Sequence, residues 1–297
     1  MNKKYCVVLR DCEGLDGRFC ACPESKEEEK AQVRCKWSND ENSSGKTYSK
    51  LEDNGSSLGV EVIDLGAEGD VITGFAKLEV GVDTDDSGSN TFDSKLAYVG
   101  LDSDMGALSV GRQSHPFADN IGGKTSIFNV YGGSSDWNYA SRSSNSMKFS
   151  TTQSGLTLDT IGIVDGSSTN TNAFDEFEVT ISTKLFGSDL SVGYADDVNS
   201  DISYWGVAGS TDLGPITMSS SYTIYDAATD KYGLEATASY SIFSVGYGDK
   251  EGTGVAYTAG VSHDLNESVS VYAEGEMKDL DSGSDTTSWS IGSKLTF

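Results

Sequence analysis

Few residues in this sequence are equipped for bond-making chemistry. His115 and His263 are the only histidines, and His115 stands beside Ser114. A serine next to an imidazole can form a hydrolytic pair, but no Gly-x-Ser-x-Gly elbow accompanies this one. All five cysteines, Cys6, Cys12, Cys20, Cys22 and Cys35, fall in the first 35 residues. Cys20-x-Cys22 lacks the spacer of common zinc sites, and an odd number forbids complete internal pairing. The acidic runs Asp83-Thr84-Asp85-Asp86 and Asp279 to Asp285 offer oxygen ligands that could hold Ca²⁺ or Mg²⁺ loosely. Neither run has the closing bidentate glutamate of an EF-hand. The expectation is therefore no catalytic residue, no tight metal site and no cofactor.

The elements that carry these residues follow from composition. With 46 acidic against 21 basic residues the net charge is −25, which repels phosphates and excludes nucleic acid as a partner. Mean hydropathy is −0.35. The longest clean apolar run, Tyr5 to Leu9, is far short of the roughly 18–20 residues of a membrane-spanning helix. A closed β-barrel escapes that requirement, because its strands need apolar residues only at alternate positions. Abundant glycine (34) with scarce proline (3) suits strands and tight turns.

Residues 1–30 read as an atypical, cysteine-bearing segment outside the barrel. Lys3 and Lys4 resemble the start of a secretory signal, but Arg10, Asp11 and Glu13 interrupt the apolar stretch that should follow. Over 31–297 the chain alternates strand and turn. Between Val71 and Val82, Ile72, Gly74, Ala76, Leu78, Val80 and Val82 occupy one face, while Thr73, Lys77 and Glu79 occupy the other. Such runs recur at 31–40, 56–64, 71–82, 94–102, 106–113, 145–152, 155–163, 175–185, 189–196, 201–211, 215–225, 231–240, 242–248, 254–263, 267–275 and 286–297. These make about sixteen strands, an even number as antiparallel closure favours. Short connectors such as Gln153-Ser154 and Gly187-Ser188 alternate with long polar ones such as 83–93 and 276–285. One connector, Ser114 to Arg142, is about thirty residues long, a length usually reserved for function. The fold class expected is all-β: a transmembrane antiparallel β-barrel.

Several segments resemble the Gram-negative outer-membrane general porins, a trimeric family. The resemblance rests on Ser57-Leu58-Gly59-Val60, Phe75-Ala76-Lys77-Leu78-Glu79, Ala97-Tyr98-Val99-Gly100-Leu101, Gly106 to Gln113 and Arg142 to Phe149. It covers about 55–150 in register and the remainder in texture. The final Ser290 to Phe297 is similar to the signal read by barrel-assembly machinery. Gly292 there precedes Leu295 and Phe297, two apart on the lipid side, and the strand can pair with the first to close the barrel. The family's Pro-Glu-Phe-Gly-Gly stretch is absent from loop 114–142.

The resemblance implies sixteen strands, a homotrimer, and a long third loop folded inward to narrow a water-filled lumen. It also implies opposed charges at the narrow point, orienting solutes in a transverse field. Asp119 and Asp136 are the candidates on the loop, with Arg112, Arg142 and Lys148 as wall cations. Lys77 and Glu79 point into the lumen by strand parity, as do Arg34 and Lys36. Aromatic residues near strand ends, among them Tyr98, Tyr131, Tyr222, Tyr240, Tyr272 and Trp289, suit the interfacial girdles. The function expected is passive diffusion of ions and small hydrophilic solutes across the outer membrane, with weak cation preference. The partners are further copies of the chain, lipid and lipopolysaccharide. Two other readings are a substrate-selective channel on the same barrel and an acidic soluble or surface-exposed β binding protein.

Overall fold

The computed structural model describes residues 26–42, 44–67, 69–85, 90–133, 139–164, 174–198, 201–226 and 230–297, with only the backbone of 26–29. The first half of the chain forms β1 (Lys26–Glu41), β2 (Thr47–Asp53), β3 (Ser57–Leu65), β4 (Ile72–Val82), β5 (Phe92–Ser103), β6 (Gly106–Ser114), β7 (Arg142–Gln153) and β8 (Leu156–Ile163). There follow β9 (Glu176–Leu185), β10 (Ser188–Asp197), β11 (Ile202–Leu213), β12 (Ile216–Asp226) and β13 (Lys231–Tyr240). The last are β14 (Phe243–Lys250), β15 (Gly254–Asn266), β16 (Val269–Leu280) and β17 (Thr286–Thr296).

Apart from β2 and β3, which do not pair with each other, each strand pairs antiparallel with its sequence neighbours, and β17 returns to β1. β2 and β3 both pair with β1, at its two ends, so they are halves of one strand interrupted at 54–56. Seventeen segments thus make a closed barrel of sixteen strands. Each expected run has a counterpart. Thr47–Asp53 had none, because its polar sequence TYSKLED carries no apolar alternation. The first strand begins at Lys26, five residues before the expected boundary at 31. Residues 1–25, with four of the five cysteines, lie outside the described residues.

Two of the tight turns explain how the chain reverses so abruptly. Ser154-Gly155 and Phe186-Gly187 hold positive φ at both positions (53° and 81°, 51° and 83°). These are the values of two-residue hairpin turns whose twist matches the flanking strands. At the closing seam, Val33 lies opposite Leu295 and Trp37 opposite Ile291. Phe297 and Ala31 exchange both backbone hydrogen bonds at 3.0 Å. Trp37 and Trp289 meet edge to face across the seam, with ring centres 4.9 Å apart.

Polarity is inverted relative to a water-soluble fold. Ile72, Leu78, Val99, Leu101, Val207 and Tyr257 are among many large apolar side chains exposed on the outside. Ser109, Thr180, Ser221, Thr237, Thr258 and Ser290 are buried on the inward face. Only a hydrocarbon environment makes that outer belt stable while the inside stays polar. An arginine at Val207, mid-strand on the outer face, is therefore expected to destabilise the barrel by about 2–4 kcal/mol. Denaturant titration in lipid vesicles reads that cost directly.

The aromatic residues divide. Tyr222, Tyr240 and Trp289 are exposed on the outside. Three others expected in the girdles face inward instead. Tyr98 lies opposite Lys77 on the lumenal face, and buried Tyr272 accepts a hydrogen bond from Asn54 at 2.8 Å. Tyr131 belongs to the inward loop. Strand propensity is the same on both faces, so residue type alone did not distinguish them.

Candidate functional site: the inward loop and the wall it leaves open

After β6 the chain enters the barrel as the short helix α1 (Pro116–Asn120), then a 3-10 turn over Gly122–Lys124. Proline at the first helical position supplies the fixed φ that starts the turn. Phe117 and Ile121 are completely buried and pack on Ala195 and Ala208 of β10 and β11. Room for them comes from glycine. A Cβ on Gly206 would lie 2.8 Å from both Phe117 and Ile121, and one on Gly193 would lie 3.0 Å from Phe117. Farther along, Phe128 sits over Gly246, where a Cβ would come within 2.7 Å of its ring.

Carboxylates on the inward faces of the strands accept the loop's backbone N–H groups. Glu178 of β9 accepts from Phe117 N at 3.0 Å and is 2.6 Å from His115 Nδ1. Glu235 of β13 accepts from Gly133 N at 2.8 Å and Thr125 Oγ1 at 3.2 Å. Glu274 of β16 accepts from Asn129 N at 2.6 Å, Asn129 Nδ2 at 3.0 Å and Val130 N at 2.9 Å. Charge-assisted bonds of this kind are the strong ones, and here they replace the water the loop backbone loses on entering. Tyr131 Oη donates to Asp40 of β1 at 3.2 Å. Asn54, in the break between β2 and β3, donates to Asn129 O at 3.1 Å. The loop therefore runs along the wall from β9 round to β16, reaching β1.

Burial alone would lower the pKa of the His115 imidazole. The hydrogen bond and charge of Glu178, with Glu176 and Asp119 behind it, outweigh that and hold it above its ordinary value. The Tyr131 phenol is pushed well up, by burial first and then by the Asp40 charge.

The wall formed by β1 to β7 carries interleaved ion pairs. Lys36 meets Glu52 at 3.1 Å, Lys77 meets Glu61 at 3.7 Å and Lys95 meets Glu79 at 3.9 Å. A profile of the Gram-negative porins matches residues 31–283. The chain belongs to that family. It lies in the outer membrane of a Gram-negative bacterium.

Three solved structures share this porin's fold. In-vitro folded OmpT of Vibrio cholerae, described in its trimer form, is 15% identical and superposes with a TM-score of 0.74 over 92% of this chain and 99% of its own. Salmonella typhi OmpF, solved with daunomycin, is 15% identical at a TM-score of 0.70, over 92% and 97%. A multiple mutant of the Rh. blastica porin is 16% identical at 0.70, over 92% and 100%. At these identities the likeness is one of fold. No curated protein matches the sequence.

The porin's candidate residues are only partly brought together. Lys148 faces inward and lies 3.8 Å from Asp119, joining the loop to the wall. Lys77 and Glu79 are inward, each beside a partner of opposite charge. Arg112 differs from expectation. It shares the strand face of exposed Leu108 and Val110, and bonds Ser94 O at 3.0 Å and Ser144 Oγ at 3.3 Å. Those contacts belong to the rim rather than the lumen. Arg142 is exposed and lies opposite Ser114 where β6 and β7 meet the loop. Asp136 falls outside the described residues. Gly292 lies inward beneath the Tyr272 ring, while Leu295 and Phe297 are exposed on the outside. Sequence reasoning missed Glu178, Glu235 and Glu274. At Glu235 the available signal was a single glutamate between Gly233 and Thr237 on one strand face, whereas Glu178 and Glu274 each share their face with a second glutamate, Glu176 and Glu276.

Proposed function

We propose that this porin is a passive, non-enzymatic channel for ions and small hydrophilic solutes, weakly selective for cations, and works as a homotrimer. The observation that carries the reading is the asymmetric lumen. The loop is pinned along one side, and the charged β1–β7 wall is left facing the water column. Field lines between interleaved charges across that gap favour dipolar solutes over apolar ones. Carboxylates outnumber cations around the loop, because Glu178, Glu235, Glu274 and Glu276 add to the acids already paired on the wall. The trimer form described for OmpT supports the oligomer. Lipid and lipopolysaccharide on the outer face, and assembly machinery reading the last strand, complete the proposed partners. Non-enzymatic action is supported by the separation of the Ser114–His115 pair: the serine hydroxyl donates to Asp119 at 2.6 Å, while His115 Nδ1 engages Glu178.

Reversal potentials across planar bilayers under a KCl gradient test the selectivity. A potassium preference is expected, shrinking as salt approaches 1 M and the screening length falls to about 3 Å. A chloride preference would sink the reading. Lys148→Glu is expected to move the reversal potential further toward potassium, because it converts a lumenal cation into an anion beside Asp119. An unchanged potential would remove Lys148 from the permeation path. The substrate-selective reading draws support from the ring cluster of Phe117, Tyr139, Tyr204 and Tyr225 at the loop's root. It requires a solute that blocks conductance at micromolar concentration.

A further inference from the structure

The root of the inward loop brings together three groups that channel function does not require. His115 Nδ1 lies 2.6 Å from Glu178 Oε1 and 3.9 Å from Glu176 Oε1. One nitrogen and two carboxylate oxygens thus fall within 4.8 Å of one another, the one such grouping among the described residues. Glu176 and Glu178 are two apart on β9, so strand alternation sends both inward, and the loop lowers His115 onto them. His115 and Glu178 are fully buried, while Glu176 keeps about a quarter of its side chain accessible.

The charge balance at this spot is unfavourable without a further cation. With a proton on the imidazole the trio carries one net negative charge, and with a neutral imidazole it carries two. The nearby Lys148 bonds Ser114 O at 3.3 Å and is paired with Asp119 at 3.8 Å, and among the described residues the cross-strand neighbours do not neutralise the trio. On β8 the cross-strand neighbours of Glu178 and Glu176 are Ile161 and Ile163, both buried. On β10 the residue opposite Glu176 is Asp197, another carboxylate. Like charges facing each other across a ladder destabilise it, and uncompensated buried charge costs more. Imidazole Nε2 is buried without a hydrogen-bond partner among the described residues, and the ring's hydrogen bond is the one from Nδ1 to Glu178.

The geometry points to a binding site for a first-row divalent transition-metal ion, Zn²⁺ or a close relative, formed by His115, Glu176 and Glu178. Ligands on such an ion sit about 2.0–2.2 Å from it, which sets neighbouring N and O atoms about 3.4 Å apart in a tetrahedral site. The observed separations of 2.6 Å and 3.9 Å bracket that value. Each imidazole–carboxylate separation therefore changes by less than about 1 Å on binding. Water from the lumen reaches the accessible side of Glu176 and completes the coordination. One imidazole nitrogen with two oxygens suits zinc, cobalt or nickel, whereas the hard cations Ca²⁺ and Mg²⁺ favour all-oxygen sites. A bound ion would tie the loop's first residue to β9 and make its entry rigid.

The test uses the full-length chain folded in detergent, stripped with a chelator and titrated with Zn²⁺ by calorimetry. Co²⁺ absorption serves as the second readout. Saturable binding of one ion per chain is expected, with visible Co²⁺ bands of a low-coordinate, nitrogen-containing site. Glu176→Gln removes only the ligand that is partly accessible and none of the loop's backbone acceptors. It should weaken binding by about tenfold or more while the barrel still folds. His115→Gln should abolish the Co²⁺ bands. Equal Zn²⁺ binding by wild type and Glu176→Gln would assign the ions to exposed loop carboxylates and overturn the site. Binding confined to millimolar Zn²⁺ would overturn it as well.

Discussion

Glu274→Ala is expected to free the middle of the inward loop while the barrel stays closed. Its two oxygens accept from Asn129 N, Asn129 Nδ2 and Val130 N. Hydrogen bonds to a charged acceptor contribute about 1.5–3 kcal/mol each. Water from the lumen can reach the released donors and recover part of that. What it cannot recover is the hold on β16, since among the described residues no other side chain of that strand bonds Asn129 or Val130, and only the Asn54 bond to Asn129 O remains beside them. Strand pairing does not depend on Glu274, so the denaturation midpoint should move little. Trypsin should cut after Lys124 much faster than in the wild type, and single-channel traces should become noisier, with a raised mean conductance. Glu274→Gln keeps one acceptor oxygen but turns an amide toward the loop's N–H groups, so an intermediate result is expected. Protected Lys124 with a quiet, unchanged trace would mean the loop is seated by packing alone.

Gly206→Leu should have the opposite effect on conductance. The added Cβ by itself would stand 2.8 Å from Ile121 and from the Phe117 ring, both wholly buried. Overpacking of this kind costs about 1–3 kcal/mol. The cheapest relief is for α1 to leave β10 and β11 and move into the water column, narrowing it. Conductance in planar bilayers should fall clearly below wild type. Adding Phe117→Ala should restore part of it, because the two changes act on one contact and their effects do not add. If the double variant conducts no better than Gly206→Leu alone, the glycine serves strand geometry and not the loop.

The contrast between these two variants marks where the sequence was informative. The expected runs were legible because each strand separates two solvents, and apolar residues at every second position record that directly. Leu78 outside with Lys77 inside is one instance, and exposed Leu295 and Phe297 are another. The loop was legible from its length. Thr47–Asp53 was not, since a strand that presents lysine and glutamate near the rim carries no hydrophobic signature. Arg112 misled because its position before the loop suggested the lumen, while strand parity sets it on the side of Val110.

The amino-acid sequence alone determined the class of fold, the lipid-facing side of β4 and of the last strand, the closing role of that last strand and the presence of one long connection, which the porin resemblance turns inward. Alternation is a local property, so a local reading recovers it. The tertiary structure alone decided which wall the loop rests on, which glutamates hold it and which glycines make room. Glu274 and Asn129 are 145 residues apart. They meet only because closure and stagger of sixteen strands bring β16 beside the tip of the loop, and no periodicity in the chain encodes that distance.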